Sequence, residues 1–110
     1  MTLNGIWKAE IFGPYGWEPM ATVFLEDGVY KVGGRNHYEV GSYEVTDNRI
    51  VATFRYITHG KARTMLGKKA KEMDLKMNGT ISTNQINGHV MEDGGNFQVV
   101  FRATRLADLP

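Results

Sequence analysis

The sequence predicts an all-β fold in which eight antiparallel strands close into a barrel. Short segments alternate apolar and polar residues, as in residues 73–81, and this period of two places one side of a strand in a core and the other in water. Gly, Asn or Asp residues end the segments, and no stretch has the spacing of an amphipathic helix. So many half-buried strands in 110 residues favour a closed sheet, because closure removes unpaired edges.

Turn signals separate the predicted strands. The dipeptide Asp27-Gly28 is the strongest, since it is typical of a two-residue hairpin. Residues 59–70 are the least regular stretch and are predicted to form a long loop or a short helical turn. The eight predicted strands span residues 5–12, 20–26, 29–32, 37–45, 49–58, 71–82, 85–91 and 96–105.

Alternation also predicts which side chains fill the barrel. An eight-stranded barrel has room for its own side chains or for one small ligand, and several inward aromatic residues favour a small pocket. The residues predicted to face inward are Trp7, Ala9, Ile11, Tyr43, Val45, Ile50, Ala52, Phe54, Met73, Leu75, Met77, Ile86, Val90, Phe97, Val99 and Phe101.

Composition limits the class of protein. A chain of 110 residues fits one domain over residues 1–110, and the lack of cysteine excludes a disulfide framework or a thiolate metal site. No secretory signal and no apolar run of membrane-spanning length is present, so we expect a cytoplasmic protein without membrane association. The net charge of +1 gives no general reason to expect nucleic acid, and the basic stretch of residues 61–76 lacks aromatic residues that stack on bases.

The candidate catalytic residues form no recognisable motif. His37, His59 and His89 are far apart and lack ligand spacing, so we expect no bound metal and no cofactor. Glu39 and Glu44 could meet across a barrel mouth, but paired-carboxylate hydrolysis also needs a cleft. We therefore expect a protein that is not an enzyme.

Two large aromatic residues mark the first predicted loop. Tyr15 and Trp17 lie in a Gly- and Pro-rich setting. If they are exposed, they form a contact surface or a lid over the barrel mouth, because Tyr and Trp are favoured at interfaces. If they pack inward, they plug that end of the barrel. His59, at the end of a strand, is a further candidate contact.

A series of motifs resembles the GrlR-like family, named for a negative regulator of type III secretion genes. The resemblance covers nearly the whole chain and depends on the order of the motifs. They are Gly5-Ile6-Trp7, Leu25-Glu26-Asp27-Gly28, Gly33-Gly34, Tyr38-x-x-Gly41-x-Tyr43, Ile50-x-Ala52, His59, Leu66-Gly67, Leu75-x-x-x-Gly79 and Phe101-x-x-x-Arg105-Leu106.

The resemblance implies a small barrel similar to those of lipocalins and other calycins, in a cytoplasmic and usually dimeric bacterial protein. The founding repressor sequesters a transcription activator through an acidic surface loop. In the matching loop of this chain, residues 45–49, Asp47 is the one carboxylate. Gly5-x-Trp7 also resembles the opening of true lipocalins, where a basic residue of the last strand covers the tryptophan. We therefore expect Arg105 to stack on Trp7 and close the barrel floor.

Two functions follow from this reasoning. The first is a regulatory protein that acts through protein–protein contact and forms a homodimer. The alternative is a carrier or sensor of a small apolar molecule that enters beside Tyr15, Trp17 and His59. The residues predicted for the dimer face, where polar side chains are otherwise expected, are Ile6, Phe12, Phe24, Met91 and Val100.

Overall fold

The computed structural model describes residues 2–59, 72–95 and 98–110, whose strands form one closed antiparallel barrel. Each strand pairs with the next one in the sequence, and β8 returns to pair with β1. The predicted all-β, eight-stranded barrel is therefore confirmed. The strands are β1 (Gly5–Gly13), β2 (Gly16–Glu26), β3 (Val29–Gly33), β4 (His37–Thr46), β5 (Arg49–Thr58), β6 (Glu72–Ser82), β7 (Gln85–Glu92) and β8 (Gln98–Ala107).

Tight turns set the order of the strands. Asp27 and Gly28 both have positive φ, 49° and 83°, which is the backbone of a two-residue turn that matches the twist of a hairpin. Asp47 has a φ of 56° in the turn between β4 and β5. We name the end of the barrel that carries these two turns the floor, and the end that carries the β1–β2 and β3–β4 turns the mouth. None of the described residues belongs to a helix long and apolar enough to cross a membrane.

The core is a single cluster of inward side chains from all eight strands, and most of the predicted inward residues belong to it. Ala9, Ile11 and Val99 are only partly buried against it. Phe97 lies outside the described residues. The other members of the core are Leu3, Val23, Leu25, Tyr30, Val32, Tyr56 and Ala103.

The inward prediction for Val45 is wrong. Val45 is 45% exposed, whereas its partner across the β4–β5 ladder, Ile50, is fully buried. The reason is that β3 pairs only with residues 38–42 of β4. The last residues of β4 therefore lack a neighbouring strand on one side, and Val45 projects beyond the core.

Strand β2 begins earlier than predicted, at Gly16 and not at residue 20. Gly13 pairs with Gly16, so Pro14 and Tyr15 alone form the turn. Pro19 argues against a strand in the sequence, but the register shifts between Ala9 and Glu10 and accommodates it in the ladder. The predicted first loop is therefore mostly strand.

Trp7 lies at the floor, where β1 and β8 pair. It is 1% exposed, and its indole Nε1–H donates to the Leu3 carbonyl at 3.0 Å. Arg105, its partner in the β1–β8 ladder, has its Cζ 5.6 Å from the Trp7 ring centroid. The same guanidinium donates through Nη2 to the Asn4 carbonyl at 2.7 Å and to Asp108 Oδ1 at 2.5 Å. These contacts join the first strand, the last strand and both chain ends.

Replacing Arg105 with alanine is expected to lower the free energy of unfolding by about 1–2 kcal/mol, since it removes the cation–π contact and the donor to Asn4. Thermal unfolding followed by circular dichroism measures the change. The matched control is Arg49→Ala, at an exposed arginine of β5. Equal stability of the two variants would show that Arg105 does not close the floor.

Candidate functional site

A small cavity remains inside the barrel beside β1 and β2. Its volume is about 40 Å³, counted as the space open to the centres of water molecules. One water needs about 10–15 Å³ by this measure, so the cavity has room for about three waters. Apolar side chains form most of its wall, and Glu10, Tyr30 and Glu39 also line it.

A buried polar cluster of Tyr30, His37 and Glu39 forms one side of this region. The Tyr30 hydroxyl donates to Glu39 Oε1 at 2.9 Å, and His37 Nε2 lies 3.0 Å from Glu39 Oε2. Glu39 is 2% exposed and His37 is 6% exposed. Both carboxyl oxygens of Glu39 are therefore bonded within the protein, which offsets the cost of burying the group.

The strand pattern explains how this cluster assembles. His37 and Glu39 are two residues apart on β4 and therefore face the same side of the sheet. Glu39 pairs with Val32 of β3 and with Tyr56 of β5, so it lies between the two neighbouring strands. The Tyr56 ring stacks on His37 with centroids 4.3 Å apart.

Gly34 covers the His37 ring at the mouth of the barrel. Its N–H donates to the His37 carbonyl at 3.0 Å, and a β-carbon at position 34 would collide with the imidazole. A glycine is required here by this close approach. The cluster is thus covered by the β3–β4 turn.

The two tyrosines beside Glu39 predict a loss of stability in alkali. Burial raises the pKa of Tyr30 well above its ordinary value of 10, and burial also raises the pKa of Tyr56 to about 12. In the unfolded chain both ionise near pH 10, so above that pH the folded protein binds more protons than the unfolded one. The free energy of unfolding therefore keeps its whole value below pH 10 and should fall as the pH rises through 10 toward 12.

Urea unfolding at a series of pH values measures this fall in the free energy of unfolding, and the Tyr56→Phe variant should show a smaller fall. An equal fall in both proteins would contradict the assignment.

A second acidic residue, Glu10, bonds to an arginine of the neighbouring strand β8. Arg102 Nε donates to Glu10 Oε1 at 3.0 Å, and this hydrogen bond lowers the pKa of the carboxyl group. The Arg102 guanidinium also lies 4.2 Å from the centroid of a Trp17 ring. Glu10, Arg102 and Trp17 therefore form one connected group on β1, β8 and β2.

The predicted contact residues do not converge on one site. Tyr15 is 95% exposed at the tip of the β1–β2 turn, while Trp17 is half-buried with its ring 5.3 Å from that of Phe12. His59 is also at the mouth, where its ring stacks on Tyr38 at 6.2 Å. Asp47 lies in an exposed turn at the floor, at the opposite end from the other three.

The idea that Glu39 and Glu44 meet across the mouth is wrong. They are five residues apart on β4, so alternation directs Glu39 inward and leaves Glu44 exposed on the outer face. His89 is also exposed. Over the described ranges, no three His, Cys, Asp or Glu residues lie close enough to hold a metal ion together.

The buried cluster links β3 to β4 through the hydrogen bond between Tyr30 and Glu39, and both residues line the small cavity. The Glu39 carboxyl group bonds both to His37 and to Tyr30, and the β3–β4 turn covers the histidine. No protein-family model and no curated protein matches this chain.

Proposed function

We propose that this chain is a non-enzymatic binding protein that recognises another protein through its outer surface. The observation that carries the proposal is the contrast between inside and outside. The interior is filled by the protein's own side chains and leaves a cavity of about 40 Å³, whereas large apolar side chains are exposed outside. Exposed apolar groups that lie together are typical of protein-binding surfaces.

One group of these side chains lies on the outer face of three adjacent strands. Phe24, Val29 and Val40, which we call the outer apolar face, are each more than a third exposed. Phe24 and Val40 flank Lys31 in the β2–β3 and β3–β4 ladders, and Val29 is two residues from Lys31 on the same side of β3. The face thus combines three apolar side chains with Lys31 at its centre, and Glu26 lies directly opposite Val29.

The residues predicted for a dimer face belong to two separate areas. Ile6 pairs with Phe24 near the floor, whereas Phe12 lies six residues along β1, about 20 Å away. Phe12 and Val100 are exposed, and Ile6 and Met91 are half-buried. A homodimer built on one area therefore leaves the other free for a different protein. We propose this division of surfaces for the homodimer and its regulatory partner.

A cytoplasmic, GrlR-like regulator of type III secretion is the specific form of this proposal. The order of the motifs supports it, together with the barrel in which Trp7 lies at the floor and Gly79 is buried in the wall. The floor turn carries a single carboxylate, Asp47. We therefore place the partner contact on the outer apolar face and not on an acidic turn.

Affinity purification of the tagged chain from its native cells tests the protein-binding function. We expect one protein to be recovered in an amount comparable to the chain itself. The double variant Phe24→Ser, Val40→Ser should reduce this recovery by about tenfold or more, because a few apolar anchors dominate most interfaces. Val51→Ser, at an exposed valine of β5, is the matched control. Recovery of no protein above background, or equal recovery by all variants, would contradict the proposal.

A small-molecule carrier or sensor is the second candidate. The specific observation in its favour is the presence of Tyr30 and Glu39 among the apolar side chains that line the cavity. A ligand with an apolar body and one hydrogen-bonding group would suit such a wall. It would have to enlarge the present cavity.

A further inference from the structure

The β1–β2 hairpin extends beyond the strand that flanks it. Strand β2 spans Gly16–Glu26, but β3 pairs only with its residues 22–26. Residues 16–21 therefore pair with β1 on one side, and within residues 2–59, 72–95 and 98–110 no strand pairs with their other side. We call this stretch the free edge. Such an edge presents backbone N–H and C=O groups that another chain can pair with.

The core is incomplete beside the free edge. Among the described residues, six apolar side chains are only partly buried against the core, and four of them, Ala9, Ile11, Met20 and Ala21, lie on this part of the hairpin. The same four residues line the cavity. A further strand laid along the free edge would cover their exposed surface and close the wall of the barrel over the cavity.

We propose that the free edge binds an extended segment of a partner protein by β-strand addition. This inference rests on the proposed protein-binding function and adds a second contact for the same partner, because the free edge ends three residues before Phe24 of the outer apolar face on β2. The segment would alternate apolar and polar residues, because alternate side chains of an added strand face the core. Its inward side chains would be small and aliphatic, since a cavity of about 40 Å³ does not accept an aromatic ring.

Pro19 favours a partner segment over a second copy of this chain. A proline nitrogen carries no hydrogen and cannot donate to a ladder, and prolines on edge strands oppose self-association. Pairing the free edge with its own copy would bring two prolines into one short ladder. A ladder between the free edge and a partner segment without proline would contain only Pro19.

A designed peptide tests this mode of binding on the full chain. The probe is a soluble peptide of about seven residues in which valine alternates with threonine between terminal lysines, a length that matches the free edge. Its control is the same peptide N-methylated at every second residue, which removes donors from one edge without changing the protein. Met20→Lys places a charge in the apolar wall beside the bound strand. Thr53→Lys, which adds the same charge on the exposed face of β5, is the matched control. Amide hydrogen exchange and chemical shifts locate the bound peptide.

The expected result is slower exchange at the amides of residues 16–21 other than Pro19, with affinity reduced about tenfold or more by N-methylation and by Met20→Lys, and unchanged by Thr53→Lys. Three results would overturn the inference. They are no binding at millimolar peptide, protection at another surface, and protection of the free edge in the protein alone that increases with its concentration, which would identify a second copy as the occupant. A natural partner that leaves these amides unprotected would also overturn it, while the proposed protein-binding function would stand.

Discussion

The Trp7→Ala variant should lose about 3–5 kcal/mol of its free energy of unfolding, the range for truncating a large buried aromatic residue. Trp7 is 1% exposed, contacts Arg105 and donates to Leu3, so the substitution leaves a cavity and a carbonyl without its donor. A domain of this size has only about 5–15 kcal/mol in total. We therefore expect a large drop in the midpoint of urea unfolding.

Two further variants make the Trp7 result interpretable. Trp7→Phe keeps a ring in the core and removes the indole N–H, so it should lose less free energy of unfolding than Trp7→Ala but more than a surface variant. This loss can be measured even where the alanine variant does not fold. Tyr15→Ala, at the exposed tip of the β1–β2 turn, should change the free energy of unfolding by less than about 0.5 kcal/mol. Equal losses for Trp7→Ala and Tyr15→Ala would contradict the position assigned to Trp7.

The Glu39→Ala variant should lose about 2–6 kcal/mol, because it leaves two buried groups without their partner. The Tyr30 hydroxyl and His37 Nε2 both bond to the Glu39 carboxyl group, and each unsatisfied buried group costs about 1–3 kcal/mol. Chemical unfolding at neutral pH provides the measurement. Glu39→Gln should lose less, since its amide oxygen can still accept from Tyr30.

Glu44→Ala is the control for Glu39→Ala, because it removes a carboxylate from the exposed face of the same strand. Its effect should lie within about 0.5 kcal/mol. If Glu44→Ala and Glu39→Ala are equally stable, the buried cluster contributes no net stability. A variant at position 39 that is more stable than the original protein would show that the cluster lowers the free energy of unfolding and is present for another reason, such as binding.

The architecture was predictable because it depends on patterns that are local in the sequence. Alternation sets the face of each strand, and a dipeptide such as Asp27-Gly28 specifies a turn. The errors arose where a strand lacks a neighbour. Val45 is exposed because β3 is too short to flank it, and β2 starts early because a bulge accommodates Pro19. Strand lengths and bulges depend on the whole barrel and leave little local signal.

The buried polar cluster was missed although its signal was present. Predicting Tyr43 inward implies the same phase for His37 and Glu39, which are six and four residues earlier on β4. The outward positions of that strand carry Tyr38 and Val40, so both faces contain apolar residues and hydropathy alone does not decide between them. The partner Tyr30 lies on another strand, and sequence spacing cannot show that contact.

Native mass spectrometry of the chain gently purified from its native cells tests the central claim most directly. The claim is that this barrel fills its own interior and binds from the outside. The predicted spectrum contains the polypeptide as a homodimer or joined to a second protein, with no retained small molecule. A stoichiometric small-molecule mass that is lost on unfolding would contradict it and would establish the interior as the binding site.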